Sequence, residues 1–590
     1  MLPWTTYEAM HDAALNQPEP FWLEAAQRIT WKQAPMTACR TRADGWHDWF
    51  PDATLNTCHN AVDRHVENGR GEQAALIWHS CATKERQVVT YRELQGRVAG
   101  FAGGLRSLGV GKGDRVLIAM PTMTETTIAM LACARIGAVH VVVFAGYAGP
   151  ELAHRIDDVA PQVIIIASCS FQGQTPIPSA PHLHEALARA THRPRACVIV
   201  QRPACPLSPV PMRDHDFHTL EQSAPAEPVT LRSEDPLYIL HTSGTTGHPK
   251  GIVRDNGGHA VALALSMDLI YGCKPGDTFF TTSDLGWVVG HSYGVYAPLI
   301  SGCTSVIVEG GASASAIRAL CHEHDVKCLF TTPTQMRLMR QESRNLSGAI
   351  LPTPARIFVA GEYADPTLLE WARSYFCKPV VNHWWQTETG WSITAHFFGL
   401  PERDPVPLMN DIGRPAPGFR PEIVPSIPGE QCGEIVLSLP LPPGCLAGVW
   451  KDGAIRVPAA YLDETNRYYR TFDEGMIEAS RAVHMLGRSD DVIKVAGRRI
   501  SGVQIEKIIA AHPAVHACAV VASPDELRGQ RPVAYVVPNS GVKVIPSSEE
   551  MIGRVNQELG RWIGLKEVHF VRHLPTTVSG KITRKRLLVS

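Results

Sequence analysis

Several features are scarce in this chain, and each scarcity removes a class of protein. No two of the fifteen cysteines form a CxxC pair, which leaves out zinc ribbons and dithiol redox motifs. Cysteines used singly among apolar neighbours, as in Leu131-Ala-Cys133-Ala, suit a reducing compartment, read here as the cytoplasm. Charged residues make up only 19% and the formal net charge is −1, so neither nucleic acid nor an anionic membrane is expected as a partner. The N-terminus carries Glu8, Asp12, Glu19 and Glu24 and lacks a basic-then-apolar pattern, so no secretory or transit peptide is expected. One apolar run, residues 127–146, mimics a membrane span but contains Arg135 and His140 and is divided by Gly137. A buried helix over 126–136, a glycine stop and a strand over 139–144 account for it, and no transmembrane helix is predicted.

What is present is a long α/β chain. With 590 residues, 44% of them hydrophobic, two or more domains are expected. Residues 1–90 are rich in Trp and His and weakly periodic, and read as an irregular N-terminal wrap over the main body. From Thr90 helix and strand patterns alternate: a helix over 91–108 stopped by Gly109 and Gly111, a strand over 115–119, a helix over 150–159, a strand over 163–167. The rhythm returns at 304–309, 314–324, 327–331 and 356–360, and implies mainly parallel sheets covered by helices. A Pro-rich surface excursion is expected over 171–230, and a small β subdomain over 400–446. The sharpest boundary is at Gly487-Arg488-Ser489-Asp490-Asp491. The expected organisation is therefore the wrap, a large domain over 91–487 and a smaller mobile α/β domain over 488–590.

The most informative segment is Thr242-Ser243-Gly244-Thr245-Thr246-Gly247-His-Pro249-Lys250, which follows a strand over 237–241. Glycines let backbone N–H groups turn toward a phosphate, while Thr and Ser add donors. Lys250 supplies a mobile positive charge near the terminal phosphates. The spacing is not Walker A, because Pro249 precedes the lysine and no GK[ST] follows. The loop resembles that of the adenylate-forming superfamily of acyl-CoA synthetases, adenylation domains and luciferases. Further matches occur in order: Trp287-Val-Val-Gly-His291, Phe358-Val-Ala360-Gly361-Glu362, His383-Trp384-Trp385-Gln386-Thr387-Glu388-Thr389-Gly390, Tyr469-Arg-Thr-Phe-Asp473 and Ser579-Gly580-Lys581. The resemblance covers essentially the whole chain. It narrows to short-chain acyl-CoA synthetases, and within them to the propionyl branch, through residues 54–66, Gly257-Gly258-His259-Ala260 and Trp384 to Trp391.

That resemblance implies substrates and roles. ATP, CoA and a small carboxylic acid are implied, with Mg²⁺ held on ATP by Glu388. Thr242, Glu388 and Lys581 are implied as the catalytic groups, Lys581 meeting charge at the α-phosphate. Gly361 and Glu362 open a turn where adenine stacks, with Trp384, Gln386, Thr387 and Arg499 also at the nucleotide. Asp473 and Arg488 fall where the family holds the ribose hydroxyls. Val288, Val289, Ala360 and Trp385 line the acyl pocket, the indole closing it to all but small acids. Gly146 and Gly497 are implied at CoA, Asp490 as the hinge, and Lys581 as the target of a regulatory lysine acyltransferase and deacylase. His291 reads as a packing or pocket-lining residue rather than a base.

The sequence also departs from the family pattern. Phe472 stands where much of the superfamily has Gly. Lys494 and Arg498 replace the usual Asn and His, and the region after Ser168 lacks the paired arginines that grip CoA phosphates. The acid stays open among propionate, acetate, 3-hydroxypropionate, acrylate and butyrate. Two rivals stay open as well: an adenylation protein feeding a carrier, and a non-catalytic adenylate binder. No carrier domain follows Lys581, and Lys581, Glu388 and Asp473 are all present, which favours the enzyme with a diffusible acceptor.

Overall fold

A computed structural model describes residues 4–242, 249–343, 354–362, 364, 366–401, 412–425, 431–489, 492–495, 498–525, 529–539, 545–576 and 582–587. Two large sheets form the body. Among the described residues the first has nine strands, and its centre is parallel: Val163–Ala167, Arg115–Ala119, Val139–Val142 and Pro236–Thr242 lie side by side. Its far edge turns antiparallel through Lys250–Asp255, Gly448–Lys451 and Ala454–Arg456. The second sheet has seven described strands, with Val380–Asn382, Arg356–Val359, Val326–Thr331, Thr278–Thr281, Thr304–Glu309 and Ala74–Ser80 parallel in that spatial order.

Alternation along the strands explains this architecture. Val116 and Ile118 face one apolar cluster, while Leu117 and Ala119 face another. Phe330 and Phe358 join the first of these clusters, whereas Leu329, Ile357 and Val359 join a third. Both sheets are thus buried on both faces and share one core between them. The apolar run belongs to that core. Helix Thr124–Ile136 is buried along its whole length and ends at Gly137, whose φ of 75° is the left-handed turn a Cβ would oppose. Arg135 is satisfied inside it by Asp63 at 2.7 Å and by the Ala226 carbonyl at 2.6 Å. No helix among the described residues is long and apolar enough to cross a membrane.

The first ninety residues are more regular than expected. Thr6 caps helix Tyr7–Asn16, helix Pro18–Ala26 follows, and Ala74–Ser80 with Arg86–Thr90 complete the second sheet. Short helices and strands rich in Trp hide periodicity, because each makes its contacts with distant segments. Trp49 Nε1 donates to the Leu441 carbonyl at 3.0 Å, and Tyr7 Oη to that of Pro415 at 3.2 Å.

The small β subdomain is a four-stranded antiparallel sheet of Pro421–Val424, Gly433–Ser438, Tyr468–Ile477 and Val483–Arg488. The smaller C-terminal α/β domain follows. Its described strands Arg498–Ser501, Val492–Val495, Gly529–Pro538 and Val515–Asp525 form one sheet, with Glu567–Phe570 beside Gly529–Pro538. Helices Gly502–Ala510 and Ser548–Leu559 close one face through Ile505, Ile508, Ile509, Met551 and Val555.

Candidate active site

Three chain segments converge beside the end of strand Pro236–Thr242. That strand returns antiparallel as Lys250–Asp255, with Thr242 opposite Lys250. Ser243, Gly244, Thr245, Thr246 and Gly247 lie outside the described residues. Lys250 seats its ammonium over the ring of Tyr461, 4.5 Å from the centroid. Tyr461 Oη donates to Glu388 Oε1 at 2.7 Å. Burial, and then the Glu388 carboxylate, push the Tyr461 phenol far above its ordinary value, so it stays a donor.

The backbone of Thr387 and Glu388 is fixed from behind. Arg254, fully buried, donates to the carbonyls of Thr387 at 2.5 Å, Glu388 at 3.0 Å and Gly444 at 2.9 Å. Its Nε reaches Tyr238 Oη at 3.3 Å. A Cβ on Gly390 would lie 2.7 Å from Arg254 Cζ and 2.5 Å from the Gly444 oxygen, which leaves room only for glycine there.

Beside this lies a ring of donors around Asp473. Gln386 Nε2 and Trp384 Nε1 give to Oδ2 at 2.7 and 3.0 Å, and Arg488 Nη1 to Oδ1 at 3.3 Å. Tyr469 Oη in turn orients Gln386 through its Oε1 at 2.9 Å. Asp473 and Arg488 are cross-strand neighbours, which is why residues so far apart in sequence meet. Burial raises the Asp473 carboxyl above its ordinary range, against the pull of Arg488, Gln386 and Trp384. Phe472, immediately before it, has φ = 56°. The position takes the left-handed backbone that suits glycine even though a phenylalanine fills it.

The turn after strand Arg356–Val359 is open. Gly361 has φ = 101° and nothing within 4 Å of where a Cβ would stand. Glu362 faces another way: its carboxylate accepts from the Thr334 N–H at 3.0 Å and from Arg337 at 3.1 Å, anchoring helix Pro333–Ser343. Val289, Ala360 and Trp385 belong to one apolar cluster, with Val288 packed against it. The Trp385 ring meets Tyr293 edge-on at 5.5 Å and Phe330 at 6.2 Å. His383 Nδ1 donates to the Val359 carbonyl at 2.9 Å and its Nε2 accepts from Tyr271 at 3.0 Å, locking the strand end before both tryptophans. Trp391 is a core residue whose indole donates to the Pro443 carbonyl at 3.0 Å.

His291 is fully buried, donating from Nδ1 to the Leu285 carbonyl at 3.2 Å and stacked on His140. Burial lowers it to about 3, so it packs the core as a neutral ring. Gly146 is exposed beside Phe144, whose ring stacks on Trp287 at 6.0 Å. Asp490, Gly497 and Lys581 lie outside the described residues, and Arg499 is described only as part of strand Arg498–Ser501.

The donor set suits a hard cation. Glu388 and Thr242 offer oxygens next to the phosphate loop, and Mg²⁺ takes one or two such protein oxygens plus phosphate and water. Among the described residues no group of three or more His, Cys, Asp or Glu side chains is placed to hold a metal alone. Tyr461 and Arg254 were not foreseen. Tyr461 sits in no motif, but a charge at Arg254 within the otherwise buried Lys250–Asp255 strand was a readable signal.

The loop, the carboxylate beside it and the two-domain α/β fold define an adenylate-forming enzyme. Residues 62–442 match the AMP-binding enzyme family, residues 504–581 its C-terminal domain and residues 7–61 the acetyl-coenzyme A synthetase N-terminus. The chain is 40% identical to the rat protein "acyl-CoA synthetase short-chain family member 3, mitochondrial", over 98% of this chain and 87% of that protein. It is 38% identical to a propionate–CoA ligase of Escherichia coli, over 99% of this chain and 95% of that one. A crystal structure of a Brucella canis acyl-CoA synthetase covers 91% of this chain and 94% of its own, at 26% identity and a TM-score of 0.66. The chain belongs to the AMP-binding acyl-CoA synthetase superfamily, as an AMP-forming acid–thiol ligase of the short-chain type.

The cytoplasmic expectation is corrected by these relatives. Rat, orangutan, mouse, human and bovine relatives, all 40% identical, are named mitochondrial. Scattered free thiols fit any reducing interior and do not single out the cytoplasm.

Proposed function

We propose that the acid is propionate, activated with Mg·ATP to propionyl-AMP and pyrophosphate and then passed to CoA. The observation that carries this reading is the Trp385 indole, edge-on to Tyr293 at 5.5 Å and 6.2 Å from Phe330, at the position where the resembled short-chain enzymes close the acid pocket. The small Ala360 side chain, with Val288 and Val289, is read as leaving space for one methyl beyond acetate. The name carried by the Escherichia coli relative supports the same acid.

The roles follow the chemistry. The acid carboxylate attacks the α-phosphate and the bond to pyrophosphate breaks. Glu388 and Thr242 hold Mg²⁺ on the leaving phosphates, which spreads their charge, and Lys250 faces the same phosphates. Asp473 accepts from the ribose hydroxyls on the Oδ1 side, where Arg488 is its only long contact among the described residues. Lys581 meets the charge growing at the α-phosphate. The domain over 488–590 then turns about Asp490, bringing Gly497 toward the site and CoA past Gly146, and the thiol displaces AMP from the mixed anhydride. Arg499 joins the nucleotide in one of the two arrangements. Acylation of Lys581 removes its charge, which makes it a point of control by a lysine acyltransferase and deacylase.

The test is AMP release with CoA across acetate, propionate, 3-hydroxypropionate, acrylate, butyrate and hexanoate. Propionate should give the highest kcat/KM, with acetate lower by about ten- to a hundredfold, the value of one methylene. A maximum at any other acid contradicts the assignment.

A further inference from the structure

Tyr461 joins two groups that the sequence motifs treat separately. It closes the short turn Ala459–Tyr461 and is 6% exposed. Its ring lies flat on Tyr469, centroids 5.7 Å apart and planes 10° apart, so its rotation is fixed. The hydroxyl donates to Glu388 Oε1 at 2.7 Å, and a carboxylate can only accept. On the ring face sits Lys250, 4.5 Å from the centroid.

Glu388 is held by one oxygen, and the other has no protein donor among the described residues. A carboxylate held by one oxygen beside a seated ammonium suits a divalent cation riding on triphosphate.

We propose that Tyr461 is a positioning residue that orders the Glu388 carboxylate as an oxygen acceptor for the cation and seats Lys250 for the phosphates. This rests on the reading of Glu388 as an ATP-side group. The test is titration calorimetry of the full chain with ATP in EDTA and with Mg·ATP, in wild type, Tyr461→Phe and Tyr461→Leu. Tyr461→Phe keeps the ring and should bind metal-free ATP within about twofold of wild type. Its gain in affinity from Mg²⁺ should shrink by roughly tenfold, the worth of a hydrogen bond to a charged group. Tyr461→Leu should in addition weaken metal-free ATP by roughly three- to fivefold, because Lys250 loses its seat. A Tyr461→Phe protein with the wild-type Mg²⁺ gain overturns the proposal. So does equal weakening of both ligands with a lowered thermal midpoint, the mark of a purely structural side chain. A wild type that binds neither form overturns the adenylation reading beneath it.

Discussion

Arg254 reaches from the second residue row of the phosphate-loop hairpin to the Glu388 carbonyl, 3.0 Å away. The same guanidinium holds Thr387 and Gly444, so one buried fork fixes the backbone that carries the Glu388 carboxylate. Arg254→Met should cost about 3 kcal/mol or more, because carbonyls are left buried without donors. The KM for ATP should rise as well. Arg254→Lys should rescue little, since an ammonium cannot fork to three carbonyls. Denaturant midpoints and ATP saturation curves measure both; a Met variant within about 1 kcal/mol of wild type would remove Arg254 from the account.

Phe472 holds a left-handed backbone at φ = 56° beside Asp473. Phe472→Asn should match or exceed wild-type stability, because Asn tolerates that region. Phe472→Val should lose about 2 kcal/mol, as a β-branched side chain collides with its own backbone there. Equal stability of the two variants, by denaturant midpoint, would contradict the strained turn.

Asp255 is buried and its Oδ1 accepts from the His259 N–H at 3.0 Å. Burial raises its carboxyl to about 7, with Arg254 pulling the other way. A raised carboxyl binds its proton more tightly folded than unfolded. Its contribution to stability is therefore present at low pH and declines from about pH 4 to pH 7 as the buried group is forced to ionise. Asp255→Asn should resemble wild type in thermal midpoint at about pH 4 and exceed it at pH 8. A difference that stays flat with pH would mean that Asp255 does not titrate in this window.

On the proposed reading Lys581 serves the first half-reaction alone. Lys581→Ala should abolish acid-dependent pyrophosphate exchange while sparing CoA transfer from supplied acyl-AMP, since only the first step needs its charge at the α-phosphate. Equal loss of both half-reactions would rule out two arrangements of the C-terminal domain.

Strands and helices were legible wherever both faces of a sheet are buried. Arg115–Ala119, Val163–Ala167 and Thr304–Glu309 are built on unbroken apolar runs at 116–119, 163–167 and 306–308, and the sequence reading meets the strands residue for residue. The first ninety residues were not legible, because Tyr7 and Trp49 are satisfied by carbonyls beyond residue 400. The motifs single out Gln386, Glu388 and Asp473, and the fold brings Gln386 and Asp473 into hydrogen-bond contact. Glu362, expected at the nucleotide, gives its carboxylate to Arg337 and to the N–H of Thr334. Tyr461 escaped notice because Glu388 and Lys250, which it touches, lie far from it in sequence.

Trp385 decides the central claim. Trp385→Gly removes an indole that meets Tyr293 at 5.5 Å and Phe330 at 6.2 Å, and on the proposed reading it lengthens the acyl site. The measurement is the chain-length profile of AMP release by this variant, from acetate to octanoate, on protein whose thermal midpoint shows that it is folded. Activity on propionate should fall, because a short acid no longer fills the space that orients it, and activity on medium-chain acids should appear. A folded variant that keeps the wild-type profile would place the acid elsewhere and contradict the account.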